Sequence, residues 1–310
     1  MKSINFLIAA FAFLLFWRCQ PPNEDPQLVN LTGRWIGMGY QCPIGTYHNE
    51  TVDINHDGSQ ISAIKVTGDP CVPAGSETFT GSFDEATGRG VITLRTGNPS
   101  SPSCCSSGGT LTLEGCTIKL NANTSEEIIL TRVDKSNAVD YDVPNAVPLI
   151  PQPNTQTCWA ASATMMWSWR DNEVLSISYA LCVRYLFTVD YCSEFQNSND
   201  DVGGLSQDEA NGLFSQMGLT EVQFSPSING IKSLLEGHGP LLLINGNAAS
   251  THARVLTGIH GDGTSECTYL NIIDPWEPNV GRVYVQSYKD FISDLETLVG
   301  STSLIPIHHW

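Results

Sequence analysis

Four prolines within ten residues divide this sequence into two stretches with different hydrophobic patterns. Proline fixes its own φ angle and has no backbone N–H, so a run of prolines favours an extended segment over a helix or a central strand. We therefore predict a linker at residues 135–146, with one domain at 31–134 and a second at 147–310. A chain of 310 residues is long enough for both domains to bury sizeable cores. The prolines are Pro144, Pro148, Pro151 and Pro153.

The first stretch has the short alternating pattern of β-strands joined by turns. Thr51–Ile54 alternates polar and apolar residues, and Asp57-Gly58 is a hairpin turn signal between two such runs. Eight strands suit a closed up-and-down barrel. The predicted strands are 33–40, 50–56, 60–67, 77–84, 90–96, 109–114, 117–120 and 127–133.

The second stretch begins with helical patterns and continues with strand-like ones. This order, helices first and strands later, is typical of an α+β domain. The predicted helices are 157–170, 176–184, 206–217, 228–236 and 291–298, and the predicted strands are 240–245, 252–260, 269–273 and 282–285.

The charge balance excludes nucleic acid as a partner. The chain has 15 Lys and Arg against 32 Asp and Glu, a formal net charge of −17, and no basic cluster could neutralise a run of phosphates. An anionic membrane surface is excluded on the same ground. We find no zinc-ligand spacing, phosphate-binding glycine loop or dinucleotide fingerprint, so we expect no metal and no cofactor. Nothing in the sequence implies a partner subunit.

Residues 1–19 have the pattern of an export signal. Lys2 precedes an apolar run, Phe6–Trp17, that is short for a membrane span. We expect an extracytoplasmic protein, either secreted or membrane-anchored. Cys19 is a candidate for the lipidated first residue of a bacterial lipoprotein, which would tether the chain to a membrane, although Phe16, Trp17 and Arg18 are not the small residues of the usual signal.

The cysteines point to disulfides. The chain has ten of them. Apart from Cys19 and Cys158, we predict that they form structural disulfides in an oxidising compartment. Cys182 and Cys192 are close in sequence and make a natural pair, but spacing alone leaves the connectivity open.

Cys158 lies at the start of the predicted helix 157–170. Free backbone N–H groups and the helix dipole stabilise a thiolate there, so this is a suitable place for a reactive cysteine. A thiolate of this kind needs a histidine beside it, which later protonates the leaving amine. His252, at the start of a strand-like run, is the predicted base, and His260, at the end of the same run, is the alternative.

The residues around Cys158 resemble those of papain-like cysteine peptidases. Gln152 stands six residues before it and Trp159 follows it at the head of a buried helix. In that family, the glutamine donates to the oxyanion. Asp274, in Asp274-Pro275-Trp276, stands where papain has the asparagine that orients the histidine. This Asp-Pro and the shorter spacing resemble the compact bacterial members, typified by secreted effector proteases and bacteriocin-processing peptidases.

The resemblance covers about half of the chain, from 147 to 298. It implies an α+β papain-like catalytic domain and an endopeptidase that works through an acyl-enzyme. The implied catalytic residues are Cys158, His252, Asp274 and Gln152, with a protein or peptide as substrate. One departure is Gln156-Thr157, which replaces the Gly-Ser-type pair that usually precedes the cysteine.

The predicted barrel resembles the lipocalins and related calycins. Gly33-Arg34-Trp35 opens its first strand and Arg132 lies on its last, and in that family a Gly-x-Trp tryptophan packs near such an arginine. The barrel could be a binding or spacer module, or an inhibitory pro-region removed by cleavage in the linker.

Two other functions fit the same residues. Cys-His chemistry also supports an amidase or transpeptidase that acts on cell-wall peptides. The chain could also be a non-catalytic surface binding protein whose second half is only a scaffold.

Overall fold

A computed structural model describes residues 29–41, 47–67, 72–95, 106–121, 127–182, 203–222, 226–247, 250–301 and 307–310. Within these ranges, no helix is both long and apolar enough to cross a membrane. The predicted signal at 1–19, with Cys19, lies outside the described residues. So do Cys42, Cys71, Cys104, Cys105 and Cys192.

The first domain is a closed barrel of eight antiparallel strands, as predicted. Each strand pairs with the next along the chain, and the first also pairs with the eighth, with Trp35 opposite Arg132. The strands are β1 (Gly33–Gln41), β2 (Tyr47–Asp57), β3 (Gln60–Thr67), β4 (Glu77–Asp84), β5 (Arg89–Arg95), β6 (Ser106–Glu114), β7 (Thr117–Asn121) and β8 (Glu127–Arg132).

Because successive side chains of a strand point to opposite faces of the sheet, every second side chain points into the barrel. In β3, Ile61, Ala63 and Lys65 are buried while the residues between them are more exposed. Apolar side chains from the strands pack together in the interior. The Nζ of Lys65 lies 3.2 Å from an Oε2 of Glu50 there, so the buried lysine charge is neutralised by a buried carboxylate.

The Gly33-Arg34-Trp35 segment has the contact that its pattern predicts. The guanidinium carbon of Arg132 lies 5.6 Å from the centre of the Trp35 ring, and the indole N–H of Trp35 donates to the carbonyl of Leu31 at 2.9 Å. Gly33 has a φ of +140°, and a Cβ there would overlap the Asp134 carboxylate. Glycine therefore suits both the backbone and the space. A relationship to lipocalins stays a prediction.

The second domain combines helices with an antiparallel sheet. The order of the strands is β10-β15-β11-β12-β13-β14, and β9 pairs with β12. The helices are α1 (Cys158–Asp171), α2 (Ser178–Leu181), α3 (Gln207–Met217), α4 (Ile228–His238) and α5 (Tyr288–Ser301). The strands are β9 (Val139–Asp142), β10 (Thr220–Glu221), β11 (Leu241–Asn247), β12 (Ser250–Gly261), β13 (Thr268–Asp274), β14 (Arg282–Ser287) and β15 (Ile307–His309).

The sheet is buried on both faces, which explains the unbroken apolar run in β11. Leu242 and Ile244 pack in the cluster that contains α1, while Leu241 and Leu243 pack in the cluster that contains α4 and α5. Because neighbouring residues of a strand point to opposite faces, both sets must be apolar. Helix α1 is buried along most of its length, from Trp159 to Ser168. The sheet and this helix together hold the two sides of the candidate site.

The proline-rich segment differs from the predicted linker. Residues Val139–Asp142, inside the range 135–146, form β9 and pair with Gly258–Gly261 of β12. Proline content located the boundary, but the short strand before Pro144 has too few residues to show a period. The strands β10 and β15 also have no prediction, since each has only two or three residues. The predicted helix 176–184 begins at Ser178, and residues after 182 lie outside the described ranges.

A disulfide joins the two domains. Cys116, in the turn between β6 and β7, is bonded to Cys267, just before β13, with a Cα–Cα distance of 5.4 Å. Beside it, the Nζ of Lys135 lies 3.1 Å from an Oδ2 of Asp262. Cys182 is also disulfide-bonded, and its predicted partner Cys192 lies outside the described residues.

Loss of the interdomain disulfide should destabilise the protein. The bond closes a loop with a sequence separation of 151 residues. A bond across a loop of this size reduces the entropy of the unfolded chain. Removal of the bond restores that entropy and lowers the free energy of unfolding by up to about 5 kcal/mol. We expect the double variant Cys116→Ser, Cys267→Ser to unfold at a lower temperature in calorimetry. Cys158→Ala, which removes a thiol without removing a crosslink, should unfold like the wild type, and equal loss in both would contradict the prediction.

Candidate active site

Cys158 is the first residue of α1, where the helix leaves backbone N–H groups without intrahelical partners. The Thr157 side chain does not cap this end, and the first turn contains no acidic residue. Cys158 is a half-buried free thiol. Its position therefore has both the positive end of the helix dipole and access from solvent.

His252 lies between Cys158 and Asp274. The Nε2 of its ring is 2.6 Å from the Oδ1 of Asp274, at the end of β13, and the ring lines the same cleft as the Cys158 thiol, with which it interacts electrostatically. Because the Nε2 of His252 is bonded to Asp274, the ring nitrogen that can interact with the thiol is Nδ1. The ring of Trp276 stands edge-on to that of His252, with the ring centres 6.5 Å apart.

Asp274 is held at both of its carboxylate oxygens. The backbone N–H of Trp276 donates to Oδ1 at 2.9 Å, and a guanidinium N–H of Arg282 donates to Oδ2 at 3.2 Å. Burial alone would raise the pKa of Asp274, but these donors and the charge of His252 lower it below its ordinary value. Asp274 is therefore a carboxylate at neutral pH, although only 1% of its surface is exposed.

The same contacts change the proton affinity of His252. Burial lowers the pKa of the imidazole, but the hydrogen bonds and charges of Asp274 and Cys158 outweigh it and raise the pKa from 6.5 to about 9. His252 is consequently protonated at neutral pH and can deliver a proton to a leaving group.

Gln152 lies on the side of the Asp274 loop. Its backbone N–H donates to the Pro275 carbonyl at 3.1 Å, and its own carbonyl accepts from the N–H of Asn279 at 2.8 Å. The side chain is fully buried, and its amide N–H donates to the Asn154 carbonyl at 2.5 Å. The described contacts include no hydrogen bond between this amide and Cys158.

A cleft of about 330 Å³ opens beside Cys158 and His252. Its polar wall includes Gln156, whose Oε1 accepts from the backbone N–H of Gly204 at 2.9 Å. Much of its apolar lining comes from α3, β11, β12 and the segment before α3. This apolar wall consists of Leu205, Ala210, Phe214, Ile244 and Ala253.

His260, the alternative base, is engaged elsewhere. Its two ring nitrogens lie 3.0 Å from carboxylate oxygens of Asp140 and Asp142 on β9. Burial lowers the pKa of His260, yet these two carboxylates raise it to about 9. His260 thus holds β9 against β12, and its ring hydrogen-bonds to these carboxylates instead of the thiol.

A family model described as papain-like cysteine protease AvrRpt2 matches residues 137–295. The match covers just over half of the 310 residues. The chain belongs to this family. It is therefore a cysteine peptidase, a hydrolase. No curated protein matches the chain.

The family match agrees with the fold about where the second domain begins. It starts at residue 137, just before β9, and includes Gln152, Cys158, His252 and Asp274. The boundary at 147 predicted from the prolines is thus about ten residues late, since β9 is already part of the sheet of the peptidase domain.

Sequence reasoning missed Arg282 and most of the apolar wall. Arg282 is opposite Asp274 in the β13–β14 pairing. The turn residues of Asp274–Arg282 indicate a hairpin, so pairing its two predicted strands would have revealed this neighbour. The apolar wall comes from four separate segments, and no local pattern brings these together.

Replacement of Asp274 should lower the pKa of His252. A pKa of about 9 in the folded protein lies above the ordinary histidine value of 6.5, so the stability that the charged imidazole contributes is complete below pH 6.5 and disappears as pH rises through 9. In Asp274→Asn the carboxylate charge is lost while burial stays, so we expect His252 to titrate at lower pH. NMR titration of the imidazole, assigned by its loss in His252→Gln, measures this. An unchanged titration would contradict the electrostatic account.

Proposed function

We propose that this cysteine peptidase is an exported endopeptidase in which Cys158, His252 and Asp274 form the catalytic triad. The observation that carries the proposal is the position of His252, whose ring hydrogen-bonds to Asp274 and lies beside the Cys158 thiol in the same cleft. A nucleophile, a base and a group that orients the base are the parts that acyl transfer requires.

In the first half of the reaction, the Cys158 sulfur attacks the carbonyl carbon of the scissile bond. The Nδ1–H of His252 protonates the leaving nitrogen, the C–N bond breaks, and a thioester to Cys158 remains. In the second half, His252 removes a proton from water, the resulting hydroxyl attacks the thioester, and the thiol is released. Asp274 keeps the imidazole oriented and balances its charge in both halves.

The developing oxyanion needs donors next to Cys158. The backbone N–H of Cys158, at the start of α1, is one. We propose Gln152 as the other, on the basis of its position six residues before the nucleophile. In this role its amide would donate to the oxyanion in place of the Asn154 carbonyl.

The cleft favours a substrate with an apolar side chain beside the scissile bond. One wall of the cleft next to Cys158 and His252 is made of aliphatic and aromatic side chains. Burial of a substrate leucine or phenylalanine there is worth about 1.5–3 kcal/mol, whereas a charged side chain would lose its hydration without a partner. We propose peptides and unfolded segments of proteins as the substrate class.

The disulfides support export. Cytosolic thiols are kept reduced, and a structural disulfide such as Cys116–Cys267 persists in an oxidising compartment. Together with the apolar N-terminal segment, this favours an extracytoplasmic peptidase that is secreted or tethered through its N-terminus. Lipidation at Cys19 is the proposed tether.

We propose that the barrel is an accessory module and not a pro-region. Cys267 ties it to the start of β13, while Asp274 lies at the other end of this strand. Seven residues of extended chain span about 20 Å, so the attachment is remote from the triad. Cleavage of the linker would also leave the domains joined through Cys116.

Loss of the thiol or the imidazole should abolish hydrolysis. We expect Cys158→Ala and His252→Ala to lose at least about a thousandfold in kcat/KM on fluorescently labelled casein, since neither the nucleophile nor the acid can be replaced. His260→Gln, which removes the other buried histidine, should retain activity if it folds. Hydrolysis by Cys158→Ala at the wild-type rate would refute the proposed mechanism, and loss in His260→Gln without loss of folding would favour the other base.

A charge on the apolar wall should change substrate preference. Leu205 lines the cleft and is only half-buried, so Leu205→Arg can be introduced at little cost in folding. We expect kcat/KM to fall about tenfold for a peptide with leucine in the pocket and to rise for the matched peptide with glutamate. Val174→Arg places the same charge on an exposed surface and should leave both peptides unaffected. Equal effects of the two variants would mean that the apolar wall does not contact the substrate.

A further inference from the structure

Arg282 and Asp274 are direct neighbours across two strands. They are partners in the register of β13 and β14, and a guanidinium N–H of Arg282 donates to the Oδ2 of Asp274 at 3.2 Å. Directly opposed residues of an antiparallel pair place their side chains on the same face of the sheet. The arginine therefore reaches the carboxylate from the side away from His252, whose ring contacts Oδ1.

The ring of Tyr284 lies next to the Arg282 guanidinium. Its central carbon lies 4.7 Å from the centre of the Tyr284 ring, which is close enough for a cation–π contact. The hydroxyl of Tyr284 in turn accepts a hydrogen bond from Arg254 on β12. Arg254 is almost fully buried and also donates to the Oε1 of Gln286 at 3.2 Å. These contacts join β12 and β14, so the sheet holds the Tyr284 ring beside the guanidinium of Arg282, whose side chain is 58% exposed.

Asp274 needs this donor because its side chain is shielded from water. Only 2% of the carboxylate side chain is exposed. Its Oδ1 accepts from His252 and from the Trp276 N–H, while Arg282 supplies the partner on Oδ2. Without Arg282, Oδ2 would be a buried charged oxygen with one fewer donor, so the carboxylate would stay beside the imidazole but lose part of its fixed orientation.

We propose that Arg282, held by Tyr284, is a positioning residue for the peptidase reaction that fixes the carboxylate of Asp274 against His252. This role rests on the proposed function, because it acts through the triad. Arg282 is absent from the residues that line the cleft, so its effect falls on the chemical step and not on substrate binding.

The guanidinium also has an electrostatic effect on the imidazole. The charged and titratable groups around His252 are Cys158 from α1, Asp274 from β13 and, behind Asp274, Arg282 from β14, with Arg254 and Tyr284 adjacent. The charge of Arg282 offsets part of the charge of Asp274. Its removal leaves the carboxylate charge less compensated and so favours the protonated form of His252.

The test compares Arg282→Gln with Arg282→Lys in the full-length protein. In Arg282→Gln we expect kcat on labelled casein to fall about tenfold with KM unchanged. We also expect the alkaline limb of the pH profile to move up by about half a pH unit, because loss of the guanidinium charge favours the protonated imidazole. Arg282→Lys keeps the charge without the planar fork, so it should hold the alkaline limb at the wild-type position and recover part of kcat.

Arg34→Gln is the matched control. Arg34 pairs with Asp53 on the barrel surface at 2.9 Å, so this variant removes the same charge from an Arg–Asp pair far from the cleft. It should keep the wild-type kcat and pH profile. NMR titration of His252 in the Cys158→Ala background measures the shift of the imidazole pKa caused by Arg282→Gln without turnover, and it applies even where activity is too low to follow.

The outcomes separate the positioning role from the proposed function. A wild-type kcat and an unmoved alkaline limb in Arg282→Gln would overturn the positioning role, provided that Cys158→Ala is inactive. A fall in kcat without a shift of the limb, and without recovery in Arg282→Lys, would also overturn it and indicate a merely structural contact. Hydrolysis by Cys158→Ala would instead refute the proposed function, whatever the Arg282 variants do.

Discussion

The contact between His252 and Asp274 is the interaction on which the candidate active site depends. A buried carboxylate is costly unless donors surround it, and the sheet supplies them at both oxygens through His252, the Trp276 backbone and Arg282. The same carboxylate raises the pKa of His252 to about 9. One buried charge thus sets both the orientation of the imidazole and its protonation at neutral pH.

The rest of the fold brings Cys158 to that imidazole. Helix α1 is buried against one face of the sheet through residues of β11 and β12, so its first residue is held beside the strand that carries His252. On the other face, α4 and α5 cover the same strands. The barrel is tied by Cys116–Cys267 to the far end of the β12–β13 hairpin, which leaves the cleft open.

The sequence predicted what local patterns determine. Alternation and turn signals located all eight barrel strands, and the helix that begins at Cys158 was predicted to within one residue. The short strands β9, β10 and β15 were not predicted, because two to four residues are too few to show a hydrophobic period. Contacts that depend on the pairing of strands, such as that of Arg282 with Asp274, were not predicted either. His260 could be separated from His252 only once β9 had placed Asp140 and Asp142 beside it.

Alkylation of Cys158 by iodoacetamide, mapped by peptide analysis, tests the pairing of Cys158 with His252. It is measured across pH in the unreduced wild type and in His252→Ala. The thiol pairs with an imidazole that is protonated up to about pH 9, so we predict rapid labelling of Cys158 at mildly acidic pH that slows sharply in the variant. Labelling that is absent, or equally fast in His252→Ala, would contradict an activated Cys158–His252 pair.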